Sequence, residues 1–275
     1  GLGNIHPISG VAPARSPRAA WGRSLTASPG KDSTTGHWEM MGVILDSPFP
    51  TFPQGFPDGF LGEFSRRCHR GVLGNVTASG TEIIERLGAA HAATGDLIVY
   101  TSADSVFQIA AHLDVVPLEE LYRCCLIARE LLTGPELGVS RVIARPFTGS
   151  PGSFSRTARR RDFSLPPPRP TLLDHLAEEG IPATGVGKVD DLFAGRSIRT
   201  MHVESNTEGI ATLLDQMDSR HEGFIFTNLG DFDTRWGHRN DPHGFKAGLE
   251  EVDRAIPEII RRLRPGELFI VTADH

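Results

Sequence analysis

Phe224-Ile225-Phe226-Thr227-Asn228-Leu229-Gly230-Asp231-Phe232-Asp233 is an apolar run that ends in two carboxylates, and Leu268-Phe269-Ile270-Val271-Thr272-Ala273-Asp274-His275 ends in an aspartate and a histidine. Short apolar runs of this kind read as strands buried on both faces, the habit of parallel sheets covered by helices. Further strands are expected at 97–100 and 139–144. Apolar residues at three- and four-residue spacing predict helices at 81–91, 118–132, 171–179, 208–219 and 245–263, as in Leu249, Val252, Ile256, Ile259, Ile260 and Leu263. Strands alternating with helices give an α/β fold, a mostly parallel sheet flanked by helices.

In open α/β sheets ligands bind beyond the carboxyl ends of the strands, where the loops diverge. Both opening stretches deliver acidic groups there. Asp233, His238, Asp274 and His275 offer the oxygen and nitrogen donors that Mn²⁺ or Zn²⁺ accepts. Adjacent residues on an extended strand point to opposite sides, so Asp274 and His275 could share a metal only at a bend. The alternative is a pair of polar strand-terminal residues.

Gly30-Lys31-Asp32-Ser33-Thr34-Thr35-Gly36-His37-Trp38-Glu39 packs three consecutive hydroxyls between charges and glycines. It reads as a nucleophile loop, because a hydroxyl that attacks phosphorus needs a metal or base beside it and a turn that exposes it. Gly30 and Gly36 permit such a turn. A solvated Ser/Thr loop would share this composition. Lys31 and His37, beside Ser33, could orient a phosphate or the loop.

The chain has 275 residues, 39% of them hydrophobic, enough for a sizeable core. A formal charge of −6 argues against nucleic acid as a partner, although Arg156, Arg159, Arg160 and Arg161 could bind phosphate. Cys68, Cys124 and Cys125 form neither a disulfide framework nor a paired-cysteine zinc spacing, so a reducing cytoplasm is expected. No run approaches the roughly 18 to 20 apolar residues of a membrane span, and none reads as a signal peptide. His91, His112, Trp21 and Trp236 read as packing groups or, for the histidines, surface ones. Ser102 and Asp104 read as turn residues or as the start of a helix at 105–111.

Pro48-Phe49-Pro50-Thr51-Phe52-Pro53 with Pro57, and Pro166-Pro167-Pro168-Arg169-Pro170, are stiff connectors that could bracket an inserted domain or be two surface loops. The chain starts at Gly1 rather than Met and stops at His275 directly after a strand candidate, so both ends are expected to be cut.

The hydroxyl-rich segment resembles the signature of phosphopentomutases, metal-dependent members of the alkaline phosphatase superfamily. The resemblance continues through Ala78-Ser79-Gly80-Thr81, Tyr100-Thr101-Ser102-Ala103-Asp104-Ser105-Val106, Ile143-Ala144-Arg145-Pro146-Phe147, Asp231-Phe232-Asp233 with Gly237-His238-Arg239, and Thr272-Ala273-Asp274-His275. It implies an alkaline-phosphatase-like core at 1–49 and 168–275, interrupted by a smaller α/β cap at 50–167. It implies interconversion of ribose or deoxyribose 1-phosphate with the 5-phosphate, through a phosphoenzyme and two divalent ions, Mn²⁺ in the first instance, with a sugar bisphosphate as activator. By resemblance, Asp233, His238, Asp274 and His275 match four of six metal-binding side chains. The remaining aspartate and histidine fall outside the sequence, so the 275-residue chain is expected to be inactive. Ser33 stands where the family phosphorylates a threonine, which leaves Thr34 as the other candidate. Ser102, Asp104, Arg145, Arg160 and Lys188 match positions that contact the sugar phosphate, although Arg159-Arg160-Arg161 replaces the usual Asn-Arg-His. Partners other than a pentose phosphate are not implied, neither nucleic acid nor membrane. The competing readings are a metal-dependent phosphatase or another phosphomutase of the superfamily, and a non-catalytic sugar-phosphate-binding derivative.

Overall fold

The computed structural model describes every residue except 1–3, 5–8, 11, 18, 220 and 221. Helix α1 (Ser33–Met40) is followed by α2 (Asp58–Cys68), β1 (Val72–Thr77), α3 (Gly80–Thr94), β2 (Leu97–Thr101), β3 (Val106–His112), α4 (Leu118–Leu131), α5 (Gly134–Leu137), β4 (Arg141–Thr148), β5 (Ser155–Arg156) and β6 (Arg161–Ser164). Then come α6 (Leu172–Glu178), β7 (Ala183–Val186), α7 (Val189–Leu192), β8 (Arg199–Met201), α8 (Asn206–Ser219), β9 (Phe224–Thr227), a π-helical turn (Phe232–Trp236), a 3-10 turn (Gly237–Arg239) and α9 (Pro242–Arg262).

Two sheets result. The first is six-stranded and mixed, in the order β1-β2-β3-β4-β5, with β6 also against β4. Its central strands β2 and β3 are buried at every position, so alternate residues serve two cores. Leu97, Val99, Phe107, Ile109 and Ala111 face α2 and α4, whereas Ile98, Tyr100, Ala110 and Phe147 face Ile83 and Ile84 of α3. Phe107 is the hub of the first core, with the rings of Phe56, Phe60 and Phe64 set edge-on to it at 4.8, 5.2 and 5.4 Å. Cys68, Cys124 and Cys125 are free thiols buried in the same core.

The second sheet is three-stranded and wholly parallel, in the order β8-β7-β9. Trp38 and Met41 from the α1 end pack with Leu173, Val189, Leu192 and Phe193 in its core. The capping box of α6 holds this region together: Asp174 accepts from Thr171, Arg196 and Ser197 at 2.7–2.9 Å. The two proline-rich segments carry no helix or strand and lie between α1 and α2 and between β6 and α6.

The α/β class and all five expected helices are present, with bounds displaced by a few residues. Three expectations fail, and one open alternative is decided. Residues 268–272 form no strand; Leu268, Ile270 and Val271 are 82, 69 and 64% exposed. A strand exists only as part of a hydrogen-bonded ladder, and β9 pairs on one side alone, with β7. Of the two readings of Ser102 and Asp104 the turn is realised and the helix is not: residues 106–112 form a strand, because seven consecutive buried positions fit a doubly covered strand and leave no polar helix face. The hydroxyl-rich segment is not a loop: Asp32 accepts from the Thr35 amide at 3.1 Å and starts a helix at Ser33, with Gly36 inside it. Trp21 is 46% exposed rather than packed.

Candidate active site

Asp32 decides where Ser33 points. Its carboxylate caps α1 and also accepts the Thr35 hydroxyl at 2.7 Å, so Thr35 is engaged, and Thr34 and Thr35 are buried. Ser33 alone of the three hydroxyl residues is partly exposed, in the first helical position, with Oγ 3.3 Å from His275 Nε2.

His37, one turn on, is buried and bonded on both ring nitrogens. Nδ1 lies 2.8 Å from the Ser33 carbonyl and 3.2 Å from Asp274 Oδ2. Two acceptors face Nδ1, so it carries the proton, and Nε2 accepts from Asn228 Nδ2 at 3.0 Å. Burial pushes the Asp274 carboxyl up, but the hydrogen bond from His37 and the nearby imidazoles outweigh it, leaving the group below its ordinary value. Gly36 makes this approach possible: a Cβ there would stand 2.1 Å from the Asp274 carbonyl oxygen. Asn228 directly follows β9 and donates its backbone N–H to Val186 at 2.8 Å, so His37 sits over the carboxyl edge of the parallel sheet.

Asp233 and His238 form a second pair, 3.3 Å apart and both open to solvent. Neighbouring Asp231 has a different task, exchanging two hydrogen bonds with Asn206 at 2.9 and 3.0 Å to fix the start of α8. The four expected metal donors thus stand as two pairs, Asp233 with His238 and Asp274 with His275. Among the described residues no three His, Cys, Asp or Glu side chains converge on one point. The donor types suit a hard or borderline divalent cation.

The expected sugar-phosphate residues lie around the six-stranded sheet and α7. Ser102 Oγ accepts the Asp104 amide at 3.3 Å, so both are turn residues after β2. Arg145 on β4 donates through Nε to Gln108 Oε1 at 3.1 Å. Arg160 grips Asp162 with two bonds of 2.7 Å; burial works against its charge, but Asp162 holds it above its ordinary value. Lys188 precedes α7, and Asp191 within that helix feels Asp162 across the gap: burial and this like charge push its carboxyl up. At its far end α7 receives Trp38 Nε1 on the Leu192 carbonyl at 2.8 Å. This four-residue helix therefore touches both α1 and β6. Sequence reasoning passed over Asn228 and Gln108; a polar residue inside or directly after a buried strand was the signal.

Residues 174–275 match the Metalloenzyme superfamily. The whole chain is 56% identical to the phosphopentomutase of Caldanaerobacter subterraneus subsp. tengcongensis, over 70% of that protein's length. It is 55% identical to the phosphopentomutase of Dictyoglomus turgidum, again over 70% of the relative, and 54% identical to that of Thermotoga maritima, over 71%. With identity above one half sustained over the entire chain, it belongs to the phosphopentomutase family.

Proposed function

We propose that this chain carries the active-site residues of a phosphopentomutase, an isomerase that interconverts ribose or deoxyribose 1-phosphate with the 5-phosphate. The observation that carries the reading is the seat of Ser33, the one partly exposed hydroxyl of its segment, facing His275 at the carboxyl edge of the parallel sheet. In the proposed reaction phosphorylated Ser33 gives its phosphoryl group to the free hydroxyl of the sugar phosphate, the Ser33 Oγ–phosphorus bond breaking as the new bond forms; Ser33 Oγ then bonds to the other phosphorus of the resulting sugar bisphosphate while the bond from that phosphorus to its sugar oxygen breaks, which restores the phosphoenzyme. Asp32 fixes the helix start, and His37 holds Asp274 beside it.

Asp233, His238, Asp274 and His275 are the candidates to hold divalent ions, manganese first. Bound ions would neutralise phosphoryl charge and favour the ionised hydroxyl. Ser102, Asp104, Arg145, Arg160 and Lys188 are the candidates for the sugar phosphate, because arginine forks suit phosphate oxygens and the shorter groups suit sugar hydroxyls. Residues 50–167 would act as a cap that limits hydrolysis of the phosphoenzyme, and a sugar bisphosphate would prime it. No helix among the described residues is long and apolar enough to cross a membrane, and three unpaired cysteines suit a reducing cytoplasm.

The test is conversion of ribose 1-phosphate by the protein expressed from its whole reading frame, with phosphopeptide mapping after incubation with a sugar bisphosphate. Label on Ser33 and manganese-dependent turnover are expected. Label confined to Thr34 or Thr35 would reject Ser33, and a preference for 3-phosphoglycerate would reject the pentose assignment.

A further inference from the structure

Asp274 stands at the end of a segment that no ladder holds, since residues 268–272 pair with no strand. What meets it is α1. Gly36 lets the helix backbone come up against the Asp274 carbonyl, and His37 Nδ1 lies 3.2 Å from Asp274 Oδ2. The same Nδ1 lies 2.8 Å from the Ser33 carbonyl. One N–H is therefore shared between the backbone of the candidate nucleophile and the carboxylate of a candidate metal donor.

The imidazole that makes this link has little freedom. It packs on Phe226 of β9, with ring centroids 5.3 Å apart, and the residue is 2% exposed. Asn228 lies two positions beyond Phe226 on a chain still bonded to Val186 of β7, so both reach toward α1. Its Nδ2 stands 3.0 Å from His37 Nε2. An amide N–H only donates, so Asn228 favours the tautomer with Nε2 bare and the proton on Nδ1. The opposite tautomer would turn a lone pair toward the Ser33 carbonyl and the Asp274 carboxylate. Both ring nitrogens are spent on the protein, and neither is left for a substrate.

We infer that His37 is a positioning residue of the metal site: with its tautomer locked by Asn228, its Nδ1–H holds the Asp274 carboxylate in register with the turn of α1 that carries Ser33. A metal-bound histidine is commonly oriented by a carboxylate behind it; here a histidine stands behind the carboxylate, and the same logic applies. The carboxylate is fixed before a cation arrives, so less order has to be created on binding. The inference rests on the proposed reaction for the role of Asp274 as a metal donor.

The test uses the protein expressed from its whole reading frame, with His37→Asn and His37→Gln. Asparagine carries its amide on the γ carbon, where Nδ1 is attached in histidine, and keeps a donor for Asp274. Glutamine carries the amide one carbon further, at the reach of Nε2, and loses that donor. Calorimetric titration with manganese alone should show His37→Gln binding about tenfold or more weakly than the parent, with His37→Asn recovering most of the loss. With ribose 5-phosphate as substrate, His37→Gln should lower kcat and leave KM near the parent's. Manganese affinities equal to the parent's in both variants overturn the inference, and so do equal losses in both, which is what a packing role alone would give. A measurement on the unsubstituted protein covers the case in which neither variant folds. Nitrogen-15 imidazole shifts, recorded without metal, should show His37 protonated on Nδ1 and bare on Nε2, and a proton on Nε2 instead overturns the inference. Manganese binding that follows the asparagine–glutamine split in a protein that never turns over a pentose phosphate would defeat the mutase reading and leave His37 in this role. Turnover with manganese affinity indifferent to His37 would do the reverse.

Discussion

The six-stranded sheet and the three-stranded sheet solve the same problem to different degrees. In the first, helices cover both faces, and β2 and β3 are buried at all positions. In the second, every residue of β9 is only half-buried, and Leu268, Ile270 and Val271 of the apolar segment that follows α9 are open to solvent. The nucleophile candidate and the metal-donor candidates belong to the less covered region. A site must leave polar groups reachable, so the sheet that carries it gives up some burial, and the neighbouring sheet can close its core completely.

Removing the hub of the closed core should show the largest contrast. Phe107→Ala is expected to cost about 3–5 kcal/mol in urea unfolding, whereas Phe226→Ala on β9 should cost roughly half that or less. Equal losses would break the comparison.

The second contrast concerns pH. Burial raises the Asp174 carboxyl, but hydrogen bonds from Thr171, Ser197 and Arg196 outweigh it and bring it down to about 2. A carboxyl whose folded value is depressed adds stability above its unfolded value, near 4, and loses that contribution as pH falls through the folded one. Asp174→Asn should therefore cost on the order of 2 kcal/mol at neutral pH. The thermal-melting difference from the parent should shrink between about pH 4 and pH 2. A pH-independent difference would mean that charge plays no part in the α6 cap.

The smallest effect belongs to the open segment. Leu268→Ser in the 275-residue chain should change stability by no more than about 0.5 kcal/mol, because the side chain is 82% exposed. A larger loss would show that this segment is covered in solution.

These contrasts also mark what the sequence could disclose. The long helices α4, α8 and α9 were legible because apolar residues recur at helical spacing, and β2 and β9 because their apolar runs are short and bounded. β3 was obscured by Ser102-Ala103-Asp104-Ser105, which resembles a helix start until the burial of all seven following residues is known. β1 was hidden by Gly74-Asn75, a pair typical of turns that here forms a bulge, with Asn75 at φ 57°. α1 carries almost no apolar face, so only its cap announces it. The strand reading of 268–272 assumed a ladder partner that an apolar run cannot itself supply. Within the site, the approach of Ser33 to His275 joins residues 242 positions apart. No local pattern encodes that, and motif resemblance was the sole route to it. His37 and Asn228 became visible only when their contacts did.

The burial of the three cysteines has a practical side. Cys68, Cys124 and Cys125 are the chain's full complement of thiols and are each 0% exposed. A thiol introduced by Ala103→Cys, at an exposed position between Ser102 and Asp104, would be the one thiol open to a maleimide dye, with no need to delete the native cysteines first. A fluorophore there would sit on the turn beside the amino end of α3 and report occupancy of that edge as a change in emission, with no enzymatic turnover required.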